Sequence, residues 1–138
     1  MATSWYLNGL NNVLSGAVNM TSDTLKVCLI DTASYTVNLT TDDYLSDIPG
    51  GAIIATATIS GKTFTASTPY AVFDASDTTF TSVSGASCEA LVIYQDTGVA
   101  GTSALLGYFD GAGVAVTPNG NNIIVQWNAS GILRLQRT

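Results

Sequence analysis

The chain has 138 residues, of which 46% are hydrophobic and 10% charged, and its ten acidic and four basic side chains give a net charge of −6. This composition excludes a disordered chain, and the repulsion between an acidic protein and phosphate backbones argues against direct nucleic-acid binding. The sequence contains no histidine, which excludes the Ser–His and Cys–His pairs on which many hydrolases depend.

The N-terminal part of the chain predicts a short amphipathic helix. Leu7, Leu10 and Leu14 recur at helical spacing, and Ser4 precedes them as a candidate N-cap. A helix is therefore expected over residues 5–18. The first residues lack the basic region and apolar core of a signal peptide, and no apolar run in the sequence approaches membrane-spanning length. We therefore expect a soluble protein that is made in the cytoplasm and does not enter membranes.

This helix precedes the strand pattern and sets the predicted organisation of the chain. Residues 1–20 form an N-terminal helical segment, and residues 21–138 form a β-sandwich domain. Apolar side chains on an appended segment need a partner, and rigid aromatic residues dominate the binding energy of interfaces. The candidate interface residues are Trp5, Tyr6, Leu7, Leu10 and Leu14.

Beyond this segment, short apolar runs separated by turn residues predict about eight strands. In residues 24–31, Leu25, Val27 and Leu29 share one face of a strand, and the alternate residues share the other face. Residues 53–60 alternate in the same way, with one apolar face and one face open to water. Both strands are therefore expected to pack against a hydrophobic core.

Two nearly continuous apolar runs, residues 88–94 and 104–109, predict central strands that are covered on both faces. Near the C-terminus, residues 128–131 form a turn signal between the runs 123–127 and 132–137, which predicts a hairpin. Strands of this length and spacing favour an all-β fold. The expected architecture is an antiparallel β-sandwich or a jelly-roll-like barrel with a short N-terminal helix.

Two tripeptides are similar to the active-site triplets of aspartic proteases. Asp31-Thr32-Ala33 and Asp96-Thr97-Gly98 each follow an apolar run. Two carboxylates held about 3 Å apart share a proton and can activate water. The same residues are also an ordinary way to leave a strand. We therefore expect turns and no enzymatic activity, and a small aspartic protease is the alternative that depends on these two aspartates.

The remaining polar side chains predict no metal or cofactor site. Asp42, Asp43 and Asp47 have calcium-binding oxygens, but their spacing differs from the EF-hand loop and favours capping of a short helical turn. Cys28 and Cys88 lie within apolar runs, where free cysteines of cytoplasmic proteins are usually buried. We therefore expect two unpaired cysteines.

Several segments resemble a family of small proteins that tailed bacteriophages encode among their virion structural genes. The segments are TLKVCLIDT (24–32), YTVNL (35–39), DDYLSDIP (42–49), EALVIYQDTG (89–98) and VTPNG (116–120), the last followed by the strand at 123–127. The resemblance implies a component of the virion that is synthesised in the host cytoplasm. It carries over no catalytic residue, because most matching positions are turn and core residues.

Among virion components, a small acidic β-domain is most similar to a capsid decoration, or cement, protein that binds the assembled shell. The implied partners are the major capsid protein or other virion proteins, together with further copies of the chain in a homo-oligomer. The alternative is a head-fibre or tail-fibre module that recognises the host surface. A cement protein predicts an apolar strip that faces the shell, whereas a recognition module predicts exposed aromatic side chains on loops.

Overall fold

A computed structural model describes residues 2–111 and 113–137 of the chain. Every strand pair in this part of the chain is antiparallel, and one short α-helix lies near the N-terminus. The predicted all-β fold class is confirmed, with ten strands described instead of about eight. The elements are β1 (Ala2–Trp5), α1 (Leu7–Ser15), β2 (Leu25–Ile30), β3 (Ile53–Thr58), β4 (Thr63–Ser67), β5 (Tyr70–Asp74), β6 (Thr78–Phe80), β7 (Ala90–Gln95), β8 (Leu105–Asp110), β9 (Ile123–Val125) and β10 (Leu133–Gln136).

The strands form one large sheet and two small ones. The main sheet has five strands in the order β1-β8-β7-β2-β3, the second has three in the order β10-β5-β4, and the third pairs β6 with β9. Strand β7 occupies the centre of the main sheet, and β8 lies beside it. These are the two strands whose apolar runs predicted central positions, and nearly all of their residues are buried.

The two faces of the main sheet carry separate hydrophobic cores. In β2, Leu25, Val27 and Leu29 pack into the first core, while Cys28 and Ile30 pack into the second. This is the alternation that the sequence predicts for the strand. The centre of the main sheet is therefore buried on both sides.

A different part of the chain closes each core. The first core lies between the main sheet and the two small sheets, which contribute Phe73, Leu133 and Phe80. The second core lies beneath the long connection between β2 and β3, which contributes Tyr35 and Ile48. That polar connection therefore covers the face of the main sheet that the small sheets leave open.

A β-bulge divides β3 between the two cores. Leu29 pairs with Ala55, but Ile30 pairs with Ile53, so Ile54 is an extra residue in the ladder. Ile54 and Ala55 consequently pack against the first core, and Ile53 packs against the second. The strict alternation predicted for this strand holds only beyond the bulge.

The N-terminal segment begins with a strand of the main sheet. Ala2–Trp5 form β1 and pair with β8, and helix α1 starts only at Leu7. The helix predicted over residues 5–18 is therefore too long at both ends, and residues 1–20 are not helical throughout. The physical reason is that β8 has an outer edge that needs a hydrogen-bonding neighbour, and β1 provides it.

Helix α1 packs its first turns against the beginning of β8. The N–H of Tyr6 donates to the carbonyl of Leu106 at 3.0 Å, and Gly9 is buried against the backbone of Leu105. Further along the helix, Val13 packs against the first core. No helix in the described part of the chain is long and apolar enough to span a membrane.

The predicted C-terminal hairpin is wrong. Residues 128–131 do form a turn, in which the N–H of Gly131 donates to the carbonyl of Asn128. The strands on either side of the turn join different sheets, because β9 pairs with β6 and β10 pairs with β5. The sequence did not predict β5, and β5 is the strand that pairs with β10.

We expect Gly9→Ala to destabilise the protein, because the added Cβ would collide with the carbonyl oxygen of Leu105, a backbone atom that cannot rotate away. Overpacking of this kind costs about 1–3 kcal/mol, whereas the same substitution at an exposed helical position stabilises by about 1 kcal/mol. Urea unfolding followed by circular dichroism measures the difference. The control is Asn11→Ala on the exposed side of α1, which should not lower stability. A fully stable Gly9→Ala protein would contradict this packing.

Candidate functional site

The five predicted interface residues do not share one surface. Leu7 and Leu14 are 57% and 78% exposed, while Trp5 and Leu10 are half-buried. Tyr6 is fully buried, so its assignment as an interface anchor is wrong. Tyr6 lies between β1 and α1, where the chain leaves the sheet edge, and its side chain enters the second core.

Tyr6 connects the N-terminal segment to the chain between β2 and β3, which covers the second core. Its hydroxyl lies 3.0 Å from that of Tyr35, and the Tyr35 hydroxyl donates to Oδ2 of Asp42 at 2.7 Å. Burial raises the pKa of both tyrosines well above the usual value, so both remain neutral. Because Tyr35 donates to Asp42, Tyr6 donates to Tyr35, and the buried hydroxyls are both satisfied.

An open apolar groove lies between the C-terminal end of α1 and the three-stranded sheet. One wall consists of two rows of side chains that the register aligns across the strands: Phe64, Phe73 and Leu133 in one row, and Ala66, Ala71 and Leu135 in the other. The opposite wall is formed by Val13 and Gly16 at the helix end and by Val18 and Met20 in the loop that follows. The groove has a volume of about 580 Å³.

The apolar groove is closed at its base and open at its rim. Phe73 and Leu133 are buried, whereas Phe64 and Leu135 are 44% and 37% exposed. The Phe64 ring stacks on Phe73 with a centroid distance of 5.2 Å. Among the described residues, no charged side chain lines the groove, although the chain carries a net charge of −6. A contiguous uncharged patch of this kind is typical of an interaction surface.

Strand β4 borders the groove, and its outer edge pairs with no other strand in the described part of the chain. It is the outermost strand in the order β10-β5-β4, and all five of its residues are exposed. The backbone N–H and C=O groups on such an edge can pair with a strand from another chain. The site therefore combines apolar contact with directional hydrogen bonding.

The protease dyad is not formed, because its two aspartates lie at opposite ends of β2. The backbone N–H of Asp96 donates to the carbonyl of Thr24, just before β2, whereas Asp31 follows the last residue of β2. The six residues of this strand separate the two aspartates by roughly 20 Å at the usual rise per residue. Asp31 instead closes a turn by accepting from the N–H of Ala33 and the hydroxyl of Ser34.

The acidic residues between β2 and β3 stabilise local turns. Oδ2 of Asp47 accepts the backbone N–H groups of Asp43 and Tyr44 at 2.8 and 2.9 Å, and Asp42 accepts that of Asn38. The predicted capping role therefore holds for Asp47, which lies in the first turn of the short 3-10 helix Leu45–Asp47. It is wrong for Asp42 and Asp43, because the N-cap residue of that helix is Tyr44. Within residues 2–111 and 113–137, no cluster of three or more metal-ligating side chains is found.

Both cysteines are free and buried. Burial raises the pKa of the Cys28 thiol to about 12 and that of the Cys88 thiol to about 11. The thiols are consequently protonated at neutral pH, and a protonated thiol is a poor nucleophile. Their role is to fill space beside the main sheet.

No protein-family model matches the sequence, and no curated protein matches it either.

The ion pair between Lys26 and Asp96, 2.9 Å long, predicts a pH-dependent effect of Asp96→Asn. The hydrogen bond from Lys26, together with the N–H of Gly98, lowers the pKa of Asp96. Because the pKa of Asp96 is lower in the folded state than in the unfolded state, the ion pair stabilises the protein at pH values above the unfolded-state pKa, which is about 3.9 for aspartate. This stabilisation is lost as the pH falls through the folded-state pKa. Because the pair is partly exposed, we expect a loss of about 0.2–1 kcal/mol at neutral pH that disappears in acid.

Urea unfolding of the wild type and of Asp96→Asn across this pH range measures the effect. The control is Asp43→Asn, which removes the same charge from a side chain that forms no ion pair within the described residues, and we expect a smaller loss of stability there at neutral pH. A stability difference for Asp96→Asn that persists unchanged in acid would contradict an electrostatic origin.

Proposed function

We propose that this chain is a structural protein of a bacteriophage virion that decorates the capsid by binding the assembled shell. The observation that carries the proposal is the open apolar groove beside the unpaired edge of β4. A cement protein requires an apolar strip that faces the shell, and the groove meets that requirement. The resemblance of five sequence segments to small virion proteins supports the same role.

The groove favours a protein surface as the partner. Its rim residues Phe64 and Leu135 remain in contact with water in the free chain, and covering them releases the free energy of apolar burial, about 25 cal/mol per Å². The absence of charge along the described lining means that a partner need not bring a compensating charge into the contact. An apolar segment of the major capsid protein fits these properties.

The stabilising mechanism is binding linkage. A protein that binds the assembled lattice more tightly than the free capsid subunit shifts the equilibrium away from disassembly. A single groove would bind the shell with modest affinity, but a homo-oligomer would present several grooves to neighbouring capsid subunits. Multivalent attachment of this kind strengthens binding without any additional type of contact.

The copy number of the chain in purified virions tests the proposal directly. Quantitative peptide mass spectrometry of particles from the phage that encodes the chain should find it in proportion to the major capsid protein, with hundreds of copies per particle. A few copies per particle would place it in the tail or a fibre instead. Virions without the chain would overturn the virion assignment altogether.

We expect Ala66→Asp to weaken binding to assembled shells at least about tenfold, because a charge in a buried apolar contact is strongly disfavoured. Ala66 lies in the groove wall on β4 and is exposed in the free chain, so its substitution removes no large side chain. The matched control is Ala86→Asp, which adds the same charge at an exposed position away from the groove. Co-sedimentation with shells that lack the chain measures both affinities, and equal binding of the two variants would exclude the groove as the contact.

A further inference from the structure

A second cleft lies beside Trp5, between β1, β10 and the turn at residues 128–131. We call it the aromatic cleft and define it by its principal lining residues: Trp5, Tyr70, Trp127, Asn128, Arg134 and Gln136. Its volume is about 410 Å³, within the range of roughly 300–1,000 Å³ that small-ligand sites occupy. Its lining is more polar than that of the apolar groove, so the two surfaces suit different partners.

The indole rings of the cleft are held by contacts within the protein. Nε1–H of Trp5 donates to the carbonyl oxygen of Arg134 at 3.4 Å. Nε1–H of Trp127 donates to Oγ1 of Thr78 at 3.3 Å, and its ring packs against Phe109 with centroids 5.8 Å apart. Trp127 is buried in the first core, so the half-buried Trp5 is the indole that offers apolar surface to a ligand.

Arg134 supplies a positive charge that has no carboxylate partner among the described residues. Its guanidinium carbon lies 4.6 Å from the centroid of the Tyr70 ring, and this stacking orients the planar donor group. The ion pair found within residues 2–111 and 113–137 joins Lys26 to Asp96. No aspartate or glutamate lines the cleft in that part of the chain, although the sequence contains ten acidic residues.

The turn at residues 128–131 adds neutral hydrogen-bonding groups. Oδ1 of Asn128 accepts the backbone N–H of Ser130 at 2.8 Å, which leaves the Asn128 amide NH₂ without a partner among the described residues. Gln136 likewise makes no side-chain hydrogen bond within that part of the chain and brings a second amide to the cleft. Amide side chains can both donate to and accept from hydroxyl groups.

We propose that the aromatic cleft binds an acidic saccharide, a sugar that carries a carboxylate. The sugar ring lies with its C–H face against the aromatic ring of Trp5, where apolar contact and shape hold it. Its carboxylate accepts two parallel hydrogen bonds from Arg134, and its hydroxyl groups pair with Asn128 and Gln136. This site goes beyond the proposed capsid role and does not depend on it.

The lining favours an acidic sugar over the other small ligands that aromatic rings and an arginine could accept. A neutral sugar would leave the Arg134 guanidinium without a partner in the complex. A nucleotide would bring a phosphate dianion to a chain with a net charge of −6, where a single arginine offsets only half of the added charge. A carboxylate matches one guanidinium in both charge and geometry.

Titration of the ¹⁵N-labelled full-length chain followed by two-dimensional NMR tests the proposal. The probes are glucuronic acid and N-acetylneuraminic acid, with glucose, N-acetylglucosamine and adenosine monophosphate for comparison. The sequence contains two tryptophans, so two indole N–H signals report on the cleft. We expect saturable shifts of the Trp5 signal with an acidic sugar, and binding of the neutral sugars and the nucleotide at least about tenfold weaker.

Arg134→Gln should lower the affinity for the acidic sugar at least about tenfold. The matched control is Arg137→Gln, which removes the same charge from the same end of the chain but lies outside the cleft lining, and its affinity should equal that of the wild type. Both residues are exposed, so neither substitution should unfold the protein, and the unperturbed NMR spectrum confirms this for each variant.

Four results would overturn the proposal. These are the absence of any saturable shift with either acidic sugar, equal or tighter binding of a neutral sugar, tighter binding of the nucleotide, and equal loss of affinity in the two arginine variants. The last result would mean that the positive charge shared by Arg134 and Arg137, and not contact with Arg134, explains the binding. None of these outcomes affects the copy number in the virion, so the two proposals fail separately.

Discussion

The structure depends on one constraint, which is that the central strands of the main sheet have no polar face to expose to water. Strands β7 and β8 are buried on both sides, so each face of the sheet needs its own cover. The small sheets close one face, and the connection between β2 and β3 closes the other. The Tyr6, Tyr35 and Asp42 hydrogen bonds stabilise that second cover, because buried hydroxyls without partners would be costly.

Local sequence pattern predicted the features that depend on burial within a single strand. The alternation of Leu25, Val27 and Leu29 gave the correct faces of β2, and the apolar runs identified β7 and β8 as central. Pairing across long sequence distances was not predictable in this way. A turn signal at residues 128–131 does not reveal that β10 pairs with β5, because periodicity specifies which side chains share a face and not which strand lies alongside.

The candidate site was less accessible to sequence reasoning than the fold. The apolar groove combines side chains from α1, β4, β5 and β10, and only the sheet register places Phe64 beside Phe73 and Leu133. Two of the leucines at helical spacing, Leu7 and Leu14, are exposed on α1, whereas Tyr6 is buried, since helical spacing does not show which face the fold covers. The aromatic cleft had a partial signal in Trp5, but Arg134 and Tyr70 gave no sign of their stacking.

Trp5 belongs to both surfaces, because its side chain lines the apolar groove and the aromatic cleft. A partner that repositions the indole on filling the groove would therefore change the shape of the cleft, and a ligand in the cleft would change the groove. Thermodynamic linkage makes such coupling reciprocal, so that each occupant alters the other's affinity by the same factor. A chain attached to a shell and a free chain would then differ in their affinity for the same small ligand, even with identical contacts to it.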